Sequence, residues 1–457
     1  MSFLWRKEKR RILKRKIVGF WSEYSRSKTG MAGLIILLVF VAVACARPWL
    51  TAADPRETFV SGKYAAPTWS AEGAPKNFYV DNDHYVRESR YVYHINLTFN
   101  YPYSEPPDSF VVTIELEGEL REPFSEDNPG SLKIWLIRPD GRELLIHSDE
   151  VRGEGTCQIY SADLKDEVDV IKLASEMGIE NPELLIVEHV IFGDVENAGS
   201  TLKGTYTISV TVIGGLRPTR ISAYFRGRAY GVLGTDWLGR DVWSQLLEGV
   251  IWALYIGILS SVLSVAIGIV YGLVSGYIGG RVDELMMRVT DILIAIPKLP
   301  MFICLAVLVG RPMLEFTIMI IAAFGWMGLA KVARSMVLSL RERAFVEVAR
   351  AIGAGHKRIM FKHIMPHLFP LAFANLALSV PDAILTEAAL SFLGLSDPWR
   401  ITWGRMLHEA QSGAALAAGA WWCVIPPGLC IAMLSMSFIF IGHAIDEILN
   451  PRLRRRR

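Results

Sequence analysis

The sequence is poor in cysteine and has no paired cysteines. Five cysteines are scattered among 457 residues, and no two of them form a CxxC pair. Neither a disulfide framework nor a zinc site is therefore indicated. The five are Cys45, Cys157, Cys304, Cys423 and Cys430.

A phosphate-binding loop is also missing. The nearest pattern, Gly353-Ala354-Gly355-His356-Lys357, has the wrong spacing for one. We therefore predict that this chain does not itself hydrolyse ATP. No set of His, Ser or carboxylate residues forms one plausible catalytic site, which argues against an enzyme. The sequence has no internal repeat and no chain of acidic residues deep in several apolar runs. It therefore does not indicate a secondary transporter.

The net charge is small, but the charges are segregated. The formal charge is +2, while residues 51–228 hold 29 acidic and 17 basic side chains, and the remainder holds 17 acidic and 31 basic ones. The chain is 51% hydrophobic, with a mean hydropathy of +0.30. This composition is too apolar for an ordinary soluble enzyme, and it predicts membrane helices beside a separate acidic domain.

Six apolar runs approach the roughly 20 residues that a helix needs to cross a bilayer. Three runs are clear. The other three are weaker, because they are short or contain charged residues. We predict an α-helical polytopic membrane protein with six transmembrane helices. The clear runs are 31–50, 250–280 and 421–441, and the weaker ones are 292–310, 316–330 and 368–395.

Basic residues indicate the orientation of these helices. They cluster in the stretch 1–30, in the loop 331–363 and in the tail 451–457. Cytoplasmic flanks carry such an excess, so both termini are predicted to be cytoplasmic in a multi-pass protein of the cell membrane. The first run could alternatively be a cleaved signal, or a lipoprotein signal ending at Ala44-Cys45. The long basic stretch before it favours an uncleaved anchor helix at 31–50.

Residues 51–228 have a different pattern, with alternating apolar and polar residues. This alternation predicts strands, and turn signals separate several of them. We predict an inserted extracytoplasmic β-sandwich-like domain between helices 1 and 2, with a helix at 166–177 and a return to the membrane over 217–231. The predicted strands are 91–98, 111–116, 132–137, 144–147 and 205–212.

Three charged residues interrupt two of the apolar runs. Lys298, Asp382 and Glu387 are each predicted to face protein or a wet cavity, because an ionised group at the bilayer centre is costly. They are candidates for a translocation route, and Glu387 is the best candidate for its gate. Snorkelling to an interface is the alternative. Glycines at 268, 272, 276 and 280 predict a face for close helix packing.

Four motifs stand out in the last half of the chain, and the first of them precedes the second apolar run. Their residues are Gly234, Thr235, Asp236, Gly239, Arg240 and Asp241; Glu347, Ala349, Gly353, Ile364 and Pro366; 387–395 with Trp403-Gly404; and 442–452.

These motifs resemble the dipeptide/oligopeptide permease family of ABC importers, and the second resembles the cytoplasmic EAA loop of that superfamily. The matches cover about 231–452, and the anchor helix fits the C-type subunit. Val348 departs from the EAA pattern, and the acidic block is larger than the family's usual external segment.

The EAA-like loop is predicted to transmit movement to a partner rather than to perform chemistry. Phe345, Val348, Ala349 and Ile352 are spaced to form one apolar face of a helix. Gly353 then allows a break before a second short helix that stops at Pro366. Such an elbow can insert into a groove of an ATPase. The alternative is a basic loop that lies along anionic lipid headgroups.

The resemblance implies a permease subunit, 229–450 being its five-helix core with the EAA loop at about 336–367. It implies no cofactor or metal in this chain, ATP and Mg²⁺ in two cytoplasmic ABC ATPase subunits, a second homologous permease as heterodimer partner, and an extracytoplasmic substrate-binding protein. The lipid membrane is the remaining expected partner of this chain, and no nucleic-acid partner is expected. The solute could be a dipeptide, a longer peptide, an oligosaccharide or a metal chelate. The rival interpretation is a multi-span anchor that displays the β-domain as a receptor or adhesion protein.

Overall fold

A computed structural model describes residues 18–449, except 123, 125–127, 180, 182–184, 198, 311–312 and 396. The basic residues predicted at 1–17 and in the tail 451–457 lie outside the described part. The chain divides into two compact units. The membrane unit comprises Met1–Pro55, Ser244–Leu416 and Cys423–Arg457, and the β unit comprises Arg56–Trp243 and Ala417–Trp422.

The membrane unit begins with an apolar helix, α1 (Lys28–Leu50), that is long enough to cross a bilayer. Ser27 caps it, since its side chain accepts a hydrogen bond from the backbone N–H of Gly30. Arg47 in the last turn pairs with Glu248 at 2.9 Å. This ion pair connects the anchor helix to the rest of the unit.

Within its described residues, the β unit contains nine strands in two antiparallel sheets with one shared core. One sheet has the order β1-β9-β4-β7 and the other β2-β3-β8-β5-β6. Strands such as β4 alternate buried and partly exposed residues, as expected for sheets with one face in a core. The strands are β1 (Phe78–Asn82), β2 (Tyr85–Arg87), β3 (Val92–Tyr101), β4 (Ser109–Glu117), β5 (Gly130–Ile137), β6 (Glu143–Val151), β7 (Gly155–Tyr160), β8 (Gly204–Ile213) and β9 (Arg217–Arg226).

All five predicted strands are present, and the predicted helix at 166–177 is α2 (Val168–Glu176). A short helix, α3 (Val187–Phe192), follows it. The prediction for 217–231 was wrong in part, because Arg217–Arg226 is β9, an inner strand paired with both β1 and β4. Ile221, Ala223 and Phe225 of β9 are buried in the core that both sheets share.

The remaining helices belong to the membrane unit, apart from the first residues of α4. Several are much longer than an average globular helix, and most are apolar. They are α4 (Val242–Ile278), α5 (Gly280–Ala295), α6 (Lys298–Val309), α7 (Leu314–Gly325), α8 (Met327–Arg341), α9 (Ala344–Ala351), α10 (Met365–Phe392), α11 (Trp403–Ser412) and α12 (Ile425–Leu449).

Five helical segments within the described residues could cross a membrane, or six if a bent pair counts as one span. The bent pair replaces the continuous helix predicted at 292–310. Helices α5 and α6 meet at 86° around Ile296 and Pro297. Proline disfavours a helical conformation in the residue before it, and Ile296 is extended. The exact count of six spans remains a prediction.

Small residues on α4 pack closely against α8, as predicted. A Cβ atom on Gly272 would lie 2.5 Å from the carbonyl oxygen of Ala330 and 2.7 Å from Cβ of Ala333. A Cβ atom on Gly268 would lie 2.9 Å from the carbonyl oxygen of Trp326, and one on Gly276 would lie 2.9 Å from that of Arg334. Gly280 does not share this role, because it starts α5 with open space around it.

Candidate functional site

The EAA-like loop forms an elbow, which we define as residues 344–366. Its first limb is α9, and its second limb runs through His356–Arg358 and a π-helical turn, Ile359–Ile364, into α10. Gly353 adopts φ +79° between the limbs. The N–H groups of Gly353 and Ala354 donate to the carbonyls of Arg350 and Ala349 at 3.0 Å each. This glycine-terminated cap fixes the end of α9 and the direction of the turn.

One side of the elbow is anchored inside the membrane unit. Val346 and Ala349 of the first limb and Ile359 and Ile364 of the second are buried in one cluster. That cluster also contains side chains of α4 and α8, such as Leu273 and Val337. The elbow and these two helices therefore share a core, so that a displacement of the elbow strains the packing of both.

Another side of α9, together with its C-cap residue, presents an apolar stripe, defined as Phe345, Val348 and Ile352. These residues are 38%, 61% and 80% exposed. Ala349, predicted to lie on the same face, is buried instead. Successive residues of a helix are about 100° apart around its axis. Ala349 therefore lies at the edge of the predicted face, next to Val346, the other buried residue of α9.

The polar and terminal residues of the elbow are exposed. Glu347 lies on the surface of α9, and the structure records no ion pair for it with the residues described. Pro366 is exposed in the first turn of α10, and the prediction that the second short helix stops there was wrong, because the π-helical turn Ile359–Ile364 continues directly into α10. The elbow thus combines an anchored inner side with an outer side that has apolar residues and a free carboxylate.

Two of the predicted route residues lie together. Nζ of Lys298, at the start of α6, is 3.6 Å from Oδ2 of Asp382 in α10. The two side chains are 55% and 64% exposed. The helix bend before Lys298 is what brings the lysine to the surface beside α10.

Glu387 does not join this pair. It is buried, only 6% exposed, and Oγ of Ser391 donates to its carboxylate at 2.6 Å. Thr402, the cap of α11, hydrogen-bonds to it as well. The predicted condition that Glu387 faces protein is met, but its contacts are those of a packing site between α10 and α11.

The motif before α4 closes the β unit. Oγ1 of Thr235 donates to the carbonyl of Gly62 at 2.6 Å and accepts from the N–H of Ala65 at 2.8 Å. Asp236 and Arg240 form a buried ion pair at 2.6 Å. Gly234 and Gly239 have positive φ, and Asp241 accepts from the N–H of Trp243 at the start of α4. These residues fix the conformation of the last segment of the β unit.

A contact that sequence reasoning missed supports this motif. Nε1 of Trp422 donates to the carbonyl of Thr235 at 3.0 Å. A side chain on Gly234 would collide with the same indole. Residue type alone could not reveal it, because Trp422 belongs to an apolar run far along the chain. In the part of the chain that the structure describes, no cluster of His, Cys, Asp and Glu could hold a metal ion.

Comparison with known proteins identifies the family. Residues 268–455 match the model of the binding-protein-dependent transport system inner membrane component, and residues 18–67 match the N-terminal TM domain of oligopeptide transport permease C. Residues 68–267, which include all nine strands, lie outside both matches.

Curated relatives agree. The oligopeptide transport system permease protein of Bacillus subtilis is 38% identical over 225 residues, which are 49% of this chain and 72% of the relative. The dipeptide transport system permease protein of the same organism is 35% identical, over 49% of this chain and 69% of the relative. A di/tripeptide transport system permease protein of Pseudomonas aeruginosa is 35% identical, over 50% and 74%. The chain therefore belongs to the binding-protein-dependent inner membrane permeases, as a C-type, non-enzymatic subunit of the peptide permease family of ABC transporters.

Proposed function

We propose that the chain forms half of the translocation pore of an ATP-driven importer of dipeptides or oligopeptides, and that the elbow couples it to a cytoplasmic ATPase. The observation that carries this proposal is the apolar stripe of α9, exposed on an element whose other side is packed into the bundle. An exposed apolar ridge beside polar residues is typical of a docking surface.

The elbow is suited to transmit movement because it is short and rigid at its corner. A partner that binds the stripe moves α9 as a rigid body, since the cap at Gly353 holds the two limbs of the elbow together. The shared core then passes the movement to α4 and α8. ATP and Mg²⁺ act in the partner subunits, of which two are proposed.

Lys298 and Asp382 are proposed to line the translocation route. A charged pair with half of its surface exposed is costly against lipid, so this surface should face the second permease or a water-filled passage. Glu387 is proposed to stabilise the route indirectly, because its hydrogen bonds fix the start of α11.

The proposed topology places both termini and the elbow in the cytoplasm and the β unit outside. The substrate-binding protein then delivers peptide from the outside, and the β unit is its proposed docking platform. A receptor or adhesion role is not favoured, since an anchor needs no elbow of this kind.

The coupling proposal is tested by co-expressing the chain with its second permease and ATPases. Val348→Asp should abolish copurification of the ATPase, because the charge falls in the centre of the stripe. Ala351→Asp is the matched control, being exposed on the same helix but outside the stripe. An ATPase that copurifies equally with the Val348 variant would overturn the proposal.

A further inference from the structure

The β unit contains a cavity that the transport role does not use. Its volume is about 350 Å³, and it is lined by residues from five separate segments, which follow β3, α2 and β9, precede β8 and include α3. The lining combines two charged groups (Glu105, Arg228), an imidazole (His189), hydroxyl groups (Ser104, Ser200, Thr201) and apolar groups (Pro106, Met177, Ile179). A cavity of this size admits a small molecule or a chain of two or three residues.

Arg228 lines this cavity beside a histidine. Its guanidinium lies 2.9 Å from Nε2 of His189. Burial, and then the charge of Arg228, lower the pKa of His189, so the imidazole is neutral at physiological pH and accepts this hydrogen bond. Among the residues that the structure describes, no carboxylate forms an ion pair with Arg228.

Glu105 supplies the opposite charge in the same cavity. Its carboxylate is exposed and has no recorded ion pair within the described chain, yet it is close enough for its charge to act on His189. The charge of Arg228 also acts on two further carboxyl groups, those of Asp108 and Glu188, whose pKa values are raised by burial. A cation and an anion therefore line one cavity without pairing with each other.

We propose that this cavity binds a short peptide by its two free termini. The carboxylate meets the guanidinium of Arg228, which offers paired donors for a planar anion. The ammonium group meets Glu105, and a side chain packs against Met177 and Ile179. The choice of a peptide among zwitterions rests on the proposed function, whereas the site itself rests on the cavity and its two unpaired charges. The β unit would thus hold substrate before or beside its delivery to the pore.

The test measures binding of radiolabelled Ala-Phe to the full-length chain in lipid nanodiscs by equilibrium dialysis, without ATP or other subunits. The free dipeptide should bind at least tenfold more tightly than its C-terminal amide or its N-acetyl form. Arg228→Gln should remove the preference for the free carboxylate, and Glu105→Gln the preference for the free amine. Arg228→Lys should retain part of the first preference.

Arg152→Gln serves as control, because Arg152 is exposed on the same unit and does not line the cavity. Hydrogen exchange in β4 and β8 checks that each variant is folded. Equal binding of the free and blocked dipeptides, or binding that survives both Arg228→Gln and Glu105→Gln, would overturn the site. Since no ATPase is present, loss of ATP-driven uptake with intact binding would contradict only the proposed function.

Discussion

The hydroxyl of Tyr277 lies 3.0 Å from Nδ1 of His356, and their rings meet edge to face at 5.8 Å. Tyr277 is at the end of α4, and His356 opens the second limb of the elbow. This pair is a direct polar link between the elbow and a long apolar helix.

Tyr277→Phe should lower peptide uptake per ATP hydrolysed, because it removes the link but leaves the ring packing. Copurification of the ATPase should not change, since the apolar stripe is untouched. Tyr271→Phe is the control, because its hydroxyl bonds the carbonyl of Met286 in α5 instead. Equal coupling ratios for both variants would remove Tyr277 from the transmission route.

Gly353 is expected to be needed for transport because of its backbone conformation. A Cβ there would meet no atom within 4 Å, but φ is +79°. Gly353→Ala should destabilise the cap by about 1 kcal/mol and weaken the ATPase complex, and Gly353→Trp should abolish it. Gly355→Ala should be tolerated, because Gly355 has φ −66° and open space. Retained ATPase binding and substrate-stimulated turnover with Gly353→Trp would show that the elbow assignment is wrong.

Single changes in the Lys298–Asp382 pair should reduce uptake more than the double exchange does. Lys298→Met leaves a carboxylate alone, at a cost of up to about 3 kcal/mol if it lies deep in the membrane. Uptake in vesicles should fall, and Lys298→Asp with Asp382→Lys should recover part of it. Glu284→Gln is the control, since Glu284 pairs with Arg288 one turn along α5. Cysteines at 298 and 382 that an aqueous thiol reagent never reaches, in any nucleotide state, would exclude a wet route there.

Glu188 should make the β unit less stable as the pH rises. Burial raises the pKa of this carboxyl group, and a hydrogen bond from Ser161 opposes the shift only in part. The folded state therefore binds the proton more tightly than the unfolded state, and stability is lost as the pH rises from about 4.3 through the raised pKa. Hydrogen exchange in β4 should show Glu188→Gln to be more protected than the parent chain at pH 8, with the difference vanishing near pH 4. The exposed Glu154→Gln should change nothing, and parallel pH profiles for Glu188→Gln and the parent would contradict the prediction.

Removal of the strands of the β unit should raise the concentration of binding protein needed for uptake. The two ends of the strand region, 78–226, lie close together, since the N–H of Gly227 donates to the side chain of Asn77 at 2.7 Å. A short linker can therefore replace residues 78–226. Assembly with the ATPases should persist, and unchanged uptake at limiting binding protein would leave the β unit as a passive shield.

Local patterns allowed much of this structure to be predicted. Period-two alternation located five strands, and the four-residue spacing of glycines located the face of α4 that contacts α8. Strands β1, β2, β7 and β9 were missed. β9 begins Arg217-Pro218-Thr219-Arg220, which lacks the apolar alternation of its second half.

The details of the site depended on contacts between distant parts of the chain. Whether Ala349 faces inward is decided by α4 and α8, and Glu387 is buried because Ser391 and Thr402 satisfy its carboxylate. The pairing of Lys298 with Asp382 required the 86° bend. A single-sequence pattern carries no signal for any of these three.

The most direct measurement is uptake of radiolabelled dipeptide into vesicles that contain this chain, its second permease and the two ATPases. Binding protein is added at the external face, and ATP is enclosed with the ATPases. We predict accumulation that requires ATP and binding protein together and is lost with Val348→Asp. Accumulation that proceeds without ATP, or that is unaffected by Val348→Asp, would contradict ATP-driven import coupled through the elbow.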